Sequence, residues 1–281
     1  MTSRAIAGQP VREHAHADPL AVVGRPRRLV PLVLGHEPIP EAVSLEGGSA
    51  SRQLREPVTA AAIEFDRGWL LVDGGFSPAV HDPAHRASFV YGGYAPIVPS
   101  GDPLCEQLDA AGLELDRLAG LLLSHAHFDH TGGARLLSEH RPLLLQRREW
   151  EYVIGVDDAR SEFVFPDDLI RPDLSVVLID GDAVIAPGVS VLDTAGHTPG
   201  HQSVVVDLPG HTVVLAGDAA DLRANIELRA ATGSTVAPDG RAAARAAITR
   251  LADLDASSGT TVWPSHDPDW GPWRDVVEPR A

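Results

Sequence analysis

The chain of 281 residues contains no lysine; all 23 of its basic residues are arginine. That absence excludes chemistry needing an internal Schiff base, such as pyridoxal-phosphate catalysis or lysine-dependent aldol cleavage. It also excludes a phosphate-binding loop of the usual kind, which places a lysine on the phosphates. Cysteine is nearly absent. Cys105 stands alone, so neither a disulfide framework nor a cysteine-rich zinc site can form. Its expected role is that of a small apolar side chain. Asn225 is the only asparagine and Met1 the only methionine. No window approaches the roughly 20 consecutive apolar residues that a membrane helix needs. The first 25 residues lack a continuous apolar stretch and do not read as a secretory signal. The cytoplasm is therefore the default expectation. Basic charge is short as well, with 23 basic against 39 acidic residues and a formal net charge of −16. A nucleic acid or an anionic membrane would want a basic face, so neither is an expected partner.

The chain does have a hydrophobic fraction of 44%, enough for a sizeable core. Short apolar runs recur at 29–34, 58–65 and 69–72, and the last two are split by a hairpin signal, Asp66-Arg67-Gly68. Asp73-Gly74-Gly75 then ends a strand. Residues 74–102 are rich in glycine, proline, histidine and aromatics and read as a long loop, which in a compact domain is usually functional. Helical spacing covers 103–118 and 131–140, with a short helix at 147–154 and another at 239–254. The run 118–124 reads as a strand buried on both faces. Further strands are expected at 143–145, 175–179, 189–192, 203–206, 212–216 and 261–263. Short strands with helices at intervals in both halves suggest two sheets with helices outside.

There are 13 histidines, and they are not scattered evenly. The strand at 118–124 runs into His125-Ala126-His127-Phe128-Asp129-His130. In a turn leaving a strand, alternate residues point the same way, so His125 and His127 can clasp one ion, while Asp129 and His130 face a neighbouring position. Imidazole nitrogen with carboxylate oxygen suits Zn²⁺, and also Mn²⁺, Fe²⁺ or Co²⁺. Gly196-His197-Thr198-Pro199-Gly200-His201, Gly217-Asp218 and Ser265-His266-Asp267 each follow a predicted strand. Each is weak alone. Together they lie where ligand sites form in α/β folds, at carboxyl ends of strands.

His125-x-His127-x-Asp129-His130, followed by His197, Asp218 and His266 at gaps of 67, 21 and 48 residues, resembles the metallo-β-lactamase superfamily. The segments 124–133, 196–203 (GHTPGHQS), 217–219 and 266–267 are most similar to those of N-acyl-homoserine lactonases. The resemblance runs from about residue 30 to the end. It implies an α/β sandwich of αβ/βα type, with two mixed β-sheets flanked by helices. On that reading 1–281 is a single domain and residues 1–28 a loosely ordered N-terminal arm. It further implies that His125, His127 and His197 hold one metal, that Asp129, His130 and His266 hold a second, and that Asp218 bridges both.

The implied activity is opening of a lactone ring, such as that of an N-acyl-homoserine lactone, by a hydroxide shared between the two metals, with Asp129 and Asp218 as catalytic carboxylates. The implied partner is thus a small lactone or ester, and a homodimer is compatible. A thioesterase or another ester hydrolase is the alternative on the same metals. A mono-iron persulfide dioxygenase is less favoured. Flavin-linked di-iron reductases usually carry glutamate where His127 stands. Lactonases of this kind often place a tyrosine three residues after the bridging aspartate, but here that position is Asp221. A carboxylate donates no hydrogen bond unless protonated, so either another donor replaces it, with Tyr91 and Tyr94 of the long loop as candidates, or the substrate differs. Phe89, Tyr91, Tyr94, Trp150, Phe163 and Phe165 are candidates to line an acyl-chain slot, and Asp73 to orient a ligand imidazole.

Overall fold

The computed structural model describes residues 8–15, 20–82, 95–156, 163–236 and 239–276. Twelve strands appear among them: β1 (Val11–Glu13), β2 (Arg28–Pro40), β3 (Gln53–Glu64), β4 (Trp69–Val72), β5 (Leu118–Leu122), β6 (Leu143–Gln146), β7 (Val176–Ile179), β8 (Ala183–Ala186), β9 (Val189–Asp193), β10 (Gln202–Leu208), β11 (His211–Leu215) and β12 (Thr260–Trp263). They form a seven-stranded sheet ordered β1-β7-β6-β5-β4-β3-β2 and a five-stranded sheet ordered β12-β11-β10-β9-β8. Both are mixed. In the first, β2, β3 and β4 pair antiparallel and the rest pair parallel. In the second only β11 and β12 are parallel.

Alternation along each strand decides what packs where. In β4, Leu70 and Val72 face the second sheet while Trp69 and Leu71 face outward. β5 does the same, with Ala119 and Leu122 inward and Leu118 and Leu121 outward. Both faces are therefore buried, which is why these strands read as continuous apolar runs. The inner layer joins Ile63, Leu122 and Leu144 to Val191, Val204 and Val213 of the second sheet. The outer face of the first sheet is covered by α2 (Pro103–Ala110) and α3 (Arg147–Gly155) through Leu104, Leu108, Trp150 and Val153. The second is covered by α4 (Arg223–Leu228) and α5 (Gly240–Asp255) through Ile226, Ala247, Ile248 and Leu251. Short helices α1 (Glu41–Ser44) and α6 (Gly271–Arg274) complete the set. The result is the expected αβ/βα sandwich. No helix of the described residues is long and apolar enough to cross a membrane.

Three local expectations change. The N-terminal arm contains β1, whose backbone pairs in parallel register with β7. Its three side chains are exposed, so no apolar pattern announces it. The strand β8 and helix α4 were likewise without a strong periodic signal. The segment expected to be helical at 131–140 is instead a short 3₁₀ stretch, Thr131–Leu136. Gly132 and Gly133 lie backbone against backbone on the Asp73–Gly75 turn. A Cβ on Gly132 would fall 2.1 Å from the Phe76 carbonyl, and one on Gly74 2.2 Å from the Gly133 nitrogen. Close contact of that kind sets the local winding in place of intrinsic helix preference.

Candidate metal centre

Four turns converge at one edge of the sandwich. Residues 124–130 leave β5 of the first sheet. Residues 194–201 join β9 to β10, Asp218 follows β11, and His266 follows β12, all from the second sheet. The turns are tied to one another: Gln202 N–H donates to Ser124 O at 2.9 Å, and His266 N–H to Asp221 O at 2.9 Å. All seven residues that the resemblance implies as ligands are buried.

They fall into two sets. In the first, His127 Nδ1 lies 3.0 Å from His125 Nε2 and 2.9 Å from His197 Nε2. Asp218 Oδ2 lies 3.7 Å from His125 Nε2 and 3.5 Å from His197 Nε2. In the second, Asp129 Oδ2 is 3.2 Å from His130 Nε2 and 3.8 Å from His266 Nε2. Asp218 Oδ1 is 3.3 Å from the former and 3.0 Å from the latter. Asp218 thus turns one oxygen to each set. Ligand atoms about 2.1 Å from a common centre stand about 3.4 Å apart in a tetrahedron, and these separations bracket that value.

The nitrogens pointing away from the centre fix the rings. His197 Nδ1 donates to Ser234 O at 3.1 Å and His266 Nδ1 to Pro57 O at 2.8 Å, so each leaves Nε2 with its lone pair inward. Asp73 holds two more. Its Oδ2 accepts from His130 Nδ1 at 2.9 Å and from Ser124 Oγ at 2.8 Å, and Ser124 Oγ in turn meets His125 Nδ1 at 3.0 Å. Asp73 has φ of +56°, a conformation uncommon outside glycine. Aspartate tolerates it better than most residues. His127 is reversed relative to the others, with Nδ1 inward.

The electrostatics suit a cation. Burial pushes His125 well below the ordinary imidazole range and His127 down to about 3, with neighbouring imidazoles adding to the effect. Burial also lowers His197. These three are neutral and offer lone pairs. Burial would lower His130 and His266 too, but the Asp129 and Asp218 carboxylates hold both well above the usual value. Burial would raise Asp218, yet His266, His130 and His125 hold it well below. His130 Nε2 is buried with no hydrogen-bond partner. An inward nitrogen in that condition, facing two carboxylates, fits metal ligation.

The centre lies beside an open cleft of about 560 Å³ lined by Glu37, Ile39, Val43, Glu56, Phe128, Phe163, Asp221 and Ser234 together with five of the donors. Phe163 reaches this cleft, as expected of an acyl-slot residue. Phe165 is instead packed with Val80 and Phe128, and Trp150 is core beneath α3. Both point into packing because their elements present apolar faces there. Tyr91, Tyr94 and Phe89 lie outside the described residues. Asp221 lines the cleft, and burial with the Asp218 charge raises its carboxyl well above the ordinary range.

Three acidic residues escaped the sequence reading. Glu37 and Glu56 are partners across β2 and β3. Burial pushes Glu56 up to about 7. Buried Glu149 on α3 accepts from Ala126 N–H at 2.8 Å and Gly200 N–H at 2.9 Å, clamping the first two histidine turns together. Glu149 follows Arg147 and Arg148, and Glu56 follows Arg55, so no sequence signal set them apart from exposed acids.

A profile of the Metallo-beta-lactamase superfamily matches residues 54–274. This chain belongs to the metallo-beta-lactamase superfamily. Within that superfamily it groups with the N-acyl homoserine lactonases. It is 32% identical over 177 residues to N-acyl homoserine lactonase AiiA of Bacillus thuringiensis subsp. kurstaki, covering 62% of this chain and 68% of the relative. It is 27% identical over 241 residues to N-acyl homoserine lactonase AttM of Azorhizobium caulinodans, covering 81% and 87%. Among solved structures, an N-acyl homoserine lactone hydrolase with the product N-hexanoyl-L-homoserine bound at its catalytic metal center superposes with TM-score 0.73. There the identity is 26%, over 86% of this chain and 94% of that one. The matched range contains all four turns that converge on the centre.

Proposed function

We propose that this protein is a dinuclear metal-dependent hydrolase that opens the ring of N-acyl-homoserine lactones. One observation carries the reading: two complete donor sets share Asp218 beside a cleft with an apolar wall. Kinship with the N-acyl homoserine lactonases names the substrate class. In this reading His125, His127, His197 and Asp218 hold one ion, and Asp129, His130, His266 and Asp218 hold the other. The three-imidazole set is assigned to Zn²⁺. Bound ions would supply a Lewis acid for the scissile carbonyl and a water acidified from a pKa of about 15.7 to about 7.

The chain's own residues supply the rest. Asp73 and Ser124 fix the rings of His130 and His125. Burial would raise the Asp129 carboxyl, but His130 and His266 hold it below its ordinary value. It is therefore ionised at neutral pH and placed to accept a proton and return it to the leaving oxygen. Phe128, Phe163, Ile39 and Val43 offer the acyl chain an apolar wall. No lysine, cysteine or serine nucleophile is required, so the absence of lysine and the single cysteine cost this chemistry nothing. The acidic net charge leaves no role for nucleic acid or an anionic membrane, and cytoplasmic residence remains the default assignment. The test combines metal analysis with ring opening followed by proton release. About two divalent ions per chain and chelator-sensitive opening of N-acyl-homoserine lactones are expected. One iron per chain, or cleavage of thioesters without lactones, would sink the reading.

A further inference from the structure

Glu37, Glu56 and Asp221 line the cleft beside the donor sets, yet the reaction as described uses none of them. Ser44 Oγ donates to Glu56 at 2.7 Å and Thr232 Oγ1 to Asp221 Oδ2 at 3.2 Å. Among the described residues no arginine pairs with any of the three, and the chain has no lysine to do so. Asp221 is the informative member. It is 5% exposed, and its second oxygen, Oδ1, is buried without a hydrogen-bond partner. A carboxylate oxygen of Asp221, one of Asp218 and a ring nitrogen of His266 lie within 4.8 Å of one another. The Asp221 segment is laced to the His266 segment by Ser265 N–H to Ala220 O at 3.0 Å and His266 N–H to Asp221 O at 2.9 Å. The carboxylate is therefore held beside Asp218 and His266 of the second set. A buried carboxylate without a cation or a full complement of donors is strongly unfavourable.

We propose that Asp221 is an additional ligand of the second donor set, making Asp129, His130, Asp218, Asp221 and His266 an oxygen-rich site for a divalent cation that accepts more than four donors, of the Mn²⁺ or Fe²⁺ kind. The inference rests on the two-set reading above. The two sets then differ in kind. The first offers three imidazole nitrogens and one oxygen, the four-donor composition that suits Zn²⁺. The second offers two nitrogens and three oxygens, and carboxylates shift preference toward harder ions.

The test uses the full chain, stripped by chelator and titrated with Mn²⁺ and with Zn²⁺ by calorimetry and elemental analysis. Thermal melting of the metal-free protein is measured alongside. Wild type should hold two ions, and from an equimolar Zn²⁺/Mn²⁺ mixture it should take one of each. Asp221→Asn should weaken Mn²⁺ at one site by about tenfold or more, leave the other unchanged, and lower the bound Mn²⁺ share. Asp221→Leu should not lower the melting temperature of the metal-free protein, while the rise on adding metal shrinks. Two ions bound with unchanged affinities and Mn²⁺:Zn²⁺ ratio in Asp221→Asn would overturn the assignment. So would a lower metal-free melting temperature in Asp221→Leu with both sites weakened equally, since a mere prop for the turn predicts that. Fewer than two ions at saturation in wild type would reject the two-set reading, and this inference with it.

Discussion

The floor and the wall of the cleft are built on different principles. On the floor, each ligand sits in a turn at the end of a buried strand, and four of the five ligand imidazoles have the outer nitrogen hydrogen-bonded to a carbonyl, a hydroxyl or Asp73. The wall is made of Ile39, Val43, Phe128 and Phe163, whose side chains are apolar. Phe128 and Phe163 stand 6.4 Å apart between ring centroids. A directional network tolerates no substitution of donor chemistry, whereas an apolar surface tolerates changes of similar volume. The same contrast predicts where mutations should be severe and where graded.

The largest effect is expected on the shared ligand. Asp218 turns one oxygen to each donor set, so Asp218→Ala should lose metal from both and reduce lactone opening to background. His127→Ala should empty chiefly the first set. Metal content measured beside activity checks this. Retained activity with two ions bound would break the distinction between floor and wall.

The floor was also the part legible in the sequence. His125, His127, Asp129 and His130 are close in the chain, and strand periodicity puts donor types on predictable sides. His197, Asp218 and His266 each follow a predicted strand, a weak signal alone, and became ligand candidates through the resemblance to the superfamily. The hydrogen-bonding support was only partly legible. Asp73 was visible as a turn residue, but its two-ring grip depends on a contact between residues 51 and 57 positions apart. Glu149 and Glu56 were missed because a buried acid looks, in sequence, like any exposed one. The sheets were readable from apolar runs, whereas β1 was not, since only its backbone takes part. The wall was least legible. Phe163 and Phe165 are two residues apart in an irregular segment, and no periodicity says that one reaches the cleft while the other packs beneath it.

Glu149 offers the next test, because it supports the floor from outside the centre. Its carboxyl accepts two backbone N–H groups from different histidine turns. Removing it leaves both buried and unsatisfied, at about 1–3 kcal/mol each. Glu149→Ala should therefore destabilise the fold by about 2–6 kcal/mol in denaturant unfolding and weaken metal binding. Glu149→Gln keeps one of the two acceptors and should lose less. Equal losses in the two variants would argue for packing rather than hydrogen bonding.

A smaller effect should appear with pH. Burial holds His201 down to about 3, against an ordinary 6.5, and its Nδ1 meets Thr194 Oγ1 at 2.9 Å. The unfolded chain takes up this proton below about 6.5, whereas the folded chain does not until about 3. The contribution of a neutral His201 is thus present above pH 6.5 and lost as pH falls toward 3. In metal-free protein, wild type should lose stability on acidification more steeply than His201→Gln, by up to about 1.4 kcal/mol per pH unit. Parallel curves would mean that this ring is protonated in the fold.

The mildest change belongs to the wall. Phe163 has φ of +56°, and its carbonyl accepts Phe128 N–H at 2.9 Å, so the backbone rather than the ring anchors this segment. Truncation should leave that bond, and the metal content, intact. An apolar pocket gains about 1–3 kcal/mol from each methylene it encloses well, and an open wall gains less. Phe163→Ala should then lower kcat/KM about tenfold for a decanoyl substrate and by less for a butanoyl one, chiefly through KM. Equal losses for both chain lengths would place Phe163 against the lactone ring instead of the acyl chain, and the boundary between floor and wall would have to be redrawn on the Phe128 side of the cleft.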